Sequence, residues 1–227
     1  MKHISYSRIL IYLIGMIILA CGLTMNTKVT LGVSPILSIP YALSEVFSLN
    51  FANLVFIYYC IFILVQLLLH YFVLHEKDKS IYISDILQIL LSMVFTRIMN
   101  VVSLILPVFE KECTGFFASL YFRFIMLAVA ILLTGIGAAL TLNMNLIPNP
   151  GDGIVAALAK AMKKPVGTSK NIVDISCVAL TCIFSYLSAG KIIGVGIGTL
   201  CAMLGVGRVI NLINRSFDLS KYTGTQD

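Results

Sequence analysis

Asp152 is the carboxylate best placed for chemistry in this chain. It follows Pro150-Gly151 and opens a short apolar stretch. Two roles suit it there, and they can coexist. As an N-cap it accepts backbone N–H bonds at the positive end of a helix. At a break beside a cavity it meets a cation or a polar solute. Asn145 and Asn149 belong to the same break, where they either line a polar site or satisfy loop backbone. Ser34 and Pro35 form an earlier counterpart. Pro fits the first helical turn, where its missing N–H is no loss, and Ser34 can cap. Thr199 closes a Gly196-Ile-Gly-Thr199 run. In a solute-binding reading, Ser34, Pro35, Asn145, Asn149, Asp152 and Thr199 line one site.

Arg97, Asp174 and Arg208 form a second set. Both arginines fall well inside apolar segments, where an ionisable group is costly and usually faces the interior, paired. They serve as a structural ion pair, snorkel to an interface, or contact an anion. Asp174 and Asp85 are their candidate partners. Asp85 cannot reach Arg97 along its own helix, because 12 residues separate them by about 18 Å. Asp174 follows Thr168-Ser169 by about a turn; it either serves the helix dipole or titrates at a cavity. Glu45, late in a short apolar segment, can snorkel. His3 and His75 read as peripheral, and His70 as a lone histidine on an apolar helix, facing lipid headgroups.

The elements that must position these residues are membrane helices. The chain is 59% hydrophobic and 11% charged, with a mean hydropathy of +0.99, against about 25% charged residues in soluble domains. Its net charge of +6 fits juxtamembrane Lys and Arg that set topology. No basic-aromatic run suggests nucleic acid. The six Cys sit mostly in apolar segments without metal-ligand spacing and read as small hydrophobes. No Ser/His/Asp order, HExxH motif or paired-carboxylate spacing supports catalysis, and no phosphate loop supports nucleotide binding, so neither an enzyme nor a cofactor is expected. The N-terminal run to Cys21 has a lipoprotein-signal look, but it continues to Asn26 and reads as a transmembrane helix.

The chain also matches itself at an offset of 115 residues. Tyr6 falls on Tyr121, Arg8 on Arg123, Gly22 on Gly137, Pro35 on Pro150 and Ala42 on Ala157. With small gaps, Asn53 falls on Asn171, Arg97 on Arg208 and Asn100 on Asn211. The expected organisation is a membrane repeat over 1–107, a polar junction over 108–116, a second repeat over 117–215 and a polar tail over 216–227. Each repeat holds four apolar segments: 9–28, 35–47, 53–74 and 82–106, then 118–147, 153–163, 170–189 and 192–214. The segments 35–47 and 153–163 are too short for a full span. They are half-membrane, re-entrant, or extended by unwound flanks. This predicts an all-α polytopic fold of about six full spans plus two short broken helices. Repeats around Gly/Pro-interrupted segments mark many transporters. If the short segments cross, the repeats are parallel; if they are re-entrant, the repeats are inverted. Either way ten Lys/Arg fall inside and four outside, so the positive-inside rule does not choose, and both termini are expected on the cytoplasmic side.

These motifs resemble the YczE/YyaS/YitT group of bacterial integral membrane proteins. The carrying residues are Leu31-Gly-Val-Ser-Pro35, Asn149-Pro-Gly-Asp-Gly153, Val166-Gly-Thr-Ser-Lys-Asn-Ile-Val-Asp174, Gly196-Ile-Gly-Thr199 and Gly207-Arg-Val-Ile-Asn211. The likeness covers roughly residues 8–214. The first repeat departs from it, with Ile36-Leu37 in place of Trp-Asp and Asp85-Ile-Leu-Gln88 in place of Gly-x-Gly-Thr. The soluble C-terminal domain of the YitT branch is absent from this sequence, which places the likeness nearer YczE. The resemblance implies a bacterial plasma-membrane location and little biochemistry. The favoured reading is a permease-like protein for a small polar solute, with the lipid bilayer and a homo-oligomer as further partners. The alternative is a non-transporting regulatory or scaffold protein acting through its 160–170 loop and tail.

Overall fold

The computed structural model describes residues 6–110 and 112–216. Among them all regular structure is helical. Eight α-helices follow in order: α1 (Tyr6–Lys28), α2 (Ser38–Phe47), α3 (Phe51–Leu68), α4 (Lys79–Ile105), α5 (Leu120–Asn143), α6 (Pro150–Met162), α7 (Val166–Ala189) and α8 (Ile197–Ser216). A 3₁₀ turn, Pro35–Leu37, leads into α2, and a π-helical turn, Leu69–Val73, ends α3. Six helices are long and apolar enough to cross a bilayer: α1, α3 with its π turn, α4, α5, α7 and α8. Helices α2 and α6, of 10 and 13 residues, fall well short of the ~30 Å hydrocarbon core at about 1.5 Å per residue.

Local sequence sets the helix ends. Asn50 caps α3 by accepting the Asn53 N–H at 2.9 Å, and Ser119 caps α5 by accepting from Phe122 at 3.3 Å. The expected start of the last segment at 192 moves to Ile197. Gly194 adopts φ 78°, and 190–196 stays irregular. The tail beyond Ser216 lies outside the described residues.

The chain forms two compact units, and each draws on both sequence halves. One comprises 1–34, 98–146 and 196–227; the other comprises 35–97 and 147–195.

In the first unit α1 and α5 pack antiparallel along their length. Arg8, at the start of α1, donates to the carbonyls of Met144 (2.6 Å) and Asn145 (2.8 Å) just past the end of α5. Arg123, at the start of α5, donates to the carbonyls of Val29 (2.9 Å) and Thr30 (3.1 Å) just past α1. These carbonyls belong to helix C-termini, which attract cations. Between the two ends, small residues let the backbones touch. A Cβ on Gly22 would lie 2.4 Å from the Thr134 nitrogen, and one on Gly137 would lie 2.4 Å from the Leu19 nitrogen. Helix α8 packs on α5, with Gly135 against Val209 and Gly205 against Ile131.

In the second unit the short helices are held by α3 and α7. Ile154 and Val155 of α6 pack with Val173 and Cys177 of α7, joined by Ile36 and Ile39. Ser38, where α2 begins, shares a 2.7 Å hydrogen bond with Thr181 of α7.

Left-handed backbone recurs at the 115-residue spacing of the sequence match. The pairs are Thr30 (φ 60°) with Asn145 (46°), Ser48 (53°) with Lys163 (52°), and His75 (48°) with Gly190 (66°). Non-glycine residues enter this region only at some cost.

Candidate functional site

The second unit gathers the polar groups. Helix α6 begins at the Pro-containing break with Asn149 as its N-cap: the Asn149 Oδ1 accepts the Gly151 N–H at 3.0 Å, and Pro150 fills the first turn. Asn149, rather than Asp152, therefore has the capping role. Asp152 sits two residues further on, in the first turn, and is partly buried. Burial pushes its carboxyl above the usual carboxylate range, Lys170 opposes the shift, and Asp174 adds to it. The Tyr59 hydroxyl of α3 lies within hydrogen-bonding reach of the Asn149 side chain.

Asp174 is 1% exposed. Its Oδ2 pairs with Lys170 at 3.1 Å, one turn back on α7, and its Oδ1 has no hydrogen-bond partner. Ser169 Oγ, also buried, has none either. A buried acceptor without a donor is costly, so this corner suits a molecule that brings donors or positive charge. The earlier break reaches the same place: a Cβ on Gly151 would lie 3.0 Å from Ile36 Cδ1. Pro35 is buried beside Ile36.

Three of the expected lining residues belong to the other unit. Ser34 is half-buried there. Asn145 is exposed, and its carbonyl is taken by Arg8. Thr199 is buried and accepts the Gly196 N–H at 3.2 Å at the start of α8. Its neighbours form a backbone contact, in which the Gly198 N–H donates to the Leu31 carbonyl at 2.7 Å. A Cβ on Gly32 (φ 114°) would lie 2.6 Å from Thr199 Oγ1. Close backbone packing occupies this Gly-x-Gly-Thr element.

The expected buried arginines are not buried. Arg97 is exposed and donates to Asn53 Oδ1 at 2.6 Å. Its long side chain carries the guanidinium from mid-helix to the first turn of α3. Arg208 is exposed as well. Neither pairs with Asp174 or Asp85. The buried arginine is Arg123, whose charge is met by two carbonyls, the Thr30 hydroxyl and Glu110 at 3.3 Å.

Asp85 has a different partner, the histidine expected to stand alone and face lipid headgroups. His70 is buried in the π turn, and its Nδ1 lies 2.7 Å from Asp85 Oδ2. Asp85 Oδ1 accepts from Gln66 Nε2 (2.7 Å) and Gln88 Nε2 (3.3 Å). The Gln66 side chain in turn covers Gly153, where a Cβ would sit 2.5 Å from Gln66 Oε1. The legible signal was a polar stripe at helical spacing: Gln66 and His70 on α3, with Asp85, Gln88, Ser92 and Thr96 on α4, all buried. Polar residues three and four apart share one face. No group of three or more His, Cys, Asp or Glu side chains able to hold a metal occurs among the described residues.

Six bilayer-length apolar helices with two short helices make this a multi-pass integral membrane protein. The chain belongs to DUF6198, a family of unknown function, which matches residues 6–215. No curated protein and no solved structure matches it.

Proposed function

We propose that the protein is a permease for a small polar solute of the YczE-like kind, binding it at the start of α6 without chemical conversion. One observation carries the reading. The two Pro-opened elements meet at Ile36 and Gly151, and beside them two carboxylates, Asp152 and Asp174, face a single cation, Lys170. Asp174 keeps an unpartnered buried oxygen. Buried charged groups are expensive, and with shifted titration in one corner they often mark a binding site. A solute that donates hydrogen bonds would satisfy this corner.

The antiparallel α1–α5 pair and the recurrence of left-handed residues at 115 spacing support an inverted repeat. In such a repeat α2 and α6 are re-entrant and each half contributes three spans. Inverted repeats meeting at broken helices are a transporter architecture. The ten-to-four Lys/Arg bias supports a cytoplasmic location for both termini.

The test is uptake or counterflow in proteoliposomes, using a panel of labelled amino acids, amines, sugars and small organic acids. Asp152→Asn should abolish movement of the transported member while leaving the protein folded. Unchanged uptake by that variant, or no movement of any panel member by the wild type, overturns the reading.

A further inference from the structure

We propose that His70 and Asp85 form a proton-binding site inside the second unit. His70 stands on a π-helical turn, Leu69–Val73, and such turns are frequent at functional sites. Both side chains are almost completely buried, at 8% and 4% exposure, and the ring nitrogen and carboxylate oxygen are 2.7 Å apart. A structural core would be served as well by an apolar pair, because burying charge offsets most of what the pair contributes.

The chemistry balances simply. With Asp85 ionised, the Nδ1 hydrogen of His70 donates to Oδ2, which leaves Nε2 as the basic atom. A proton taken onto Nε2 gives imidazolium held by the carboxylate, and its release restores neutral imidazole. Histidine is the side chain whose ordinary titration falls in the physiological range. The buried cluster changes net charge by one in that step.

The surroundings suit a site that senses this change. Asp85 Oδ1 holds the amides of Gln66 and Gln88, and both Gln Oε1 atoms are buried without partners. Gln66 covers Gly153, the residue after Asp152. The proton pair is thus linked to the proposed solute corner through a single carboxamide. The titratable or charged groups near this end of α3 include Tyr71 beside His70 and, just past the π turn, His75, Glu76, Lys77, Asp78 and Lys79. Helix α4 offers Tyr82, edge-on to His70 at 6.5 Å between ring centres. Helix α6 offers Asp152 and Lys160, and Lys160 pairs with Glu76 at 3.5 Å. Helix α2 carries Tyr41, and Glu45, which is exposed. None of these lies between His70 and Asp85.

That this proton is coupled to solute movement rests on the transport reading above; the binding site itself does not. The site is tested by imidazole nitrogen NMR on the full-length protein in nanodiscs, labelled at its three His and titrated from about pH 5 to 9. His70→Gln identifies the resonance. The expected result is one two-state protonation of His70, with proton binding weakened about tenfold or more in Asp85→Asn, the scale of one lost ion-pair interaction. A His70 ring that keeps one state across the range overturns the site, and so does a titration that Asp85→Asn leaves unmoved; the wild-type arm needs no variant to fold. Coupling is read with a pH-sensitive dye inside the proteoliposomes. Solute entry with no proton movement removes the coupling and leaves the site standing. A titrating His70 in a protein that moves no panel solute removes the transport reading instead.

Discussion

Arg8 and Arg123 stand in the same relationship to each other's helix. Each sits near the start of its own helix and donates to two carbonyls just past the end of the other, and the acceptors Val29 and Thr30 lie 115 residues before Met144 and Asn145. Such reciprocity needs antiparallel helices. It supports the inverted of the two arrangements that the Lys/Arg count leaves equal.

The two contacts should differ in weight. Arg123 is nearly buried and Arg8 is half-buried, and hydrogen bonds from charged groups contribute more where water is excluded. Arg123→Met should destabilise the protein by about 2–3 kcal/mol and Arg8→Met by about 1 kcal/mol. Thermal unfolding in detergent, followed by thiol exposure of the buried Cys, checks the order. Equal or absent shifts would contradict it.

Topology gives a second prediction. With α2 re-entrant, Lys77 lies on the cytoplasmic side and Glu112 on the opposite side. In a cysteine-free background, Lys77→Cys should resist a membrane-impermeant maleimide added outside whole cells, while Glu112→Cys should react. The reverse pattern would mean that α2 crosses.

Gly153 is predicted to accept no larger residue while Gln66 is present. The Cβ of Gly153→Ala would press on the Gln66 amide, at a cost of about 1–3 kcal/mol for overpacking. Shortening the neighbour with Gln66→Ala should recover part of that loss. The double-mutant cycle should show coupling of about 0.5 kcal/mol or more. Additive losses would mean that the two side chains do not share the space.

Asp152 sets a pH dependence. Burial raises its carboxyl, so on acidification it takes its proton before an exposed carboxylate at about pH 4 would. Solute movement that needs the charged form should therefore decline at a higher pH than ordinary carboxylate titration explains. Asp152→Glu should retain a decline of this kind, and Asp152→Asn should show no residual pH-dependent activity. Movement that stays constant down to pH 4 would exclude the charged form as the working one.

Much of this fold was legible as pattern. Hydropathy marked every long helix, although the last starts at Ile197 rather than at 192, because the bilayer demands length and apolarity. Pro35 and Pro150 marked the breaks, because Pro suits a first turn. Partners were the illegible part. Arg97 looked buried by position, yet its long stem takes the charge to Asn53. His70 looked lone because its partner, Asp85, comes from a neighbouring helix. Linear spacing records the face of one helix, not which helix that face meets. The stripe Asp85, Gln88, Ser92 and Thr96 did record an interior face; reading it as a unit, rather than as a departure from a family motif, would have exposed the cluster.

The most direct test of the central claim is solute counterflow in proteoliposomes by wild type and Asp152→Asn, with both proteins shown folded by matching thermal unfolding. Exchange of at least one small polar solute is expected from the wild type and none from the variant. Equal exchange by both, or none by the wild type across the panel, would contradict it.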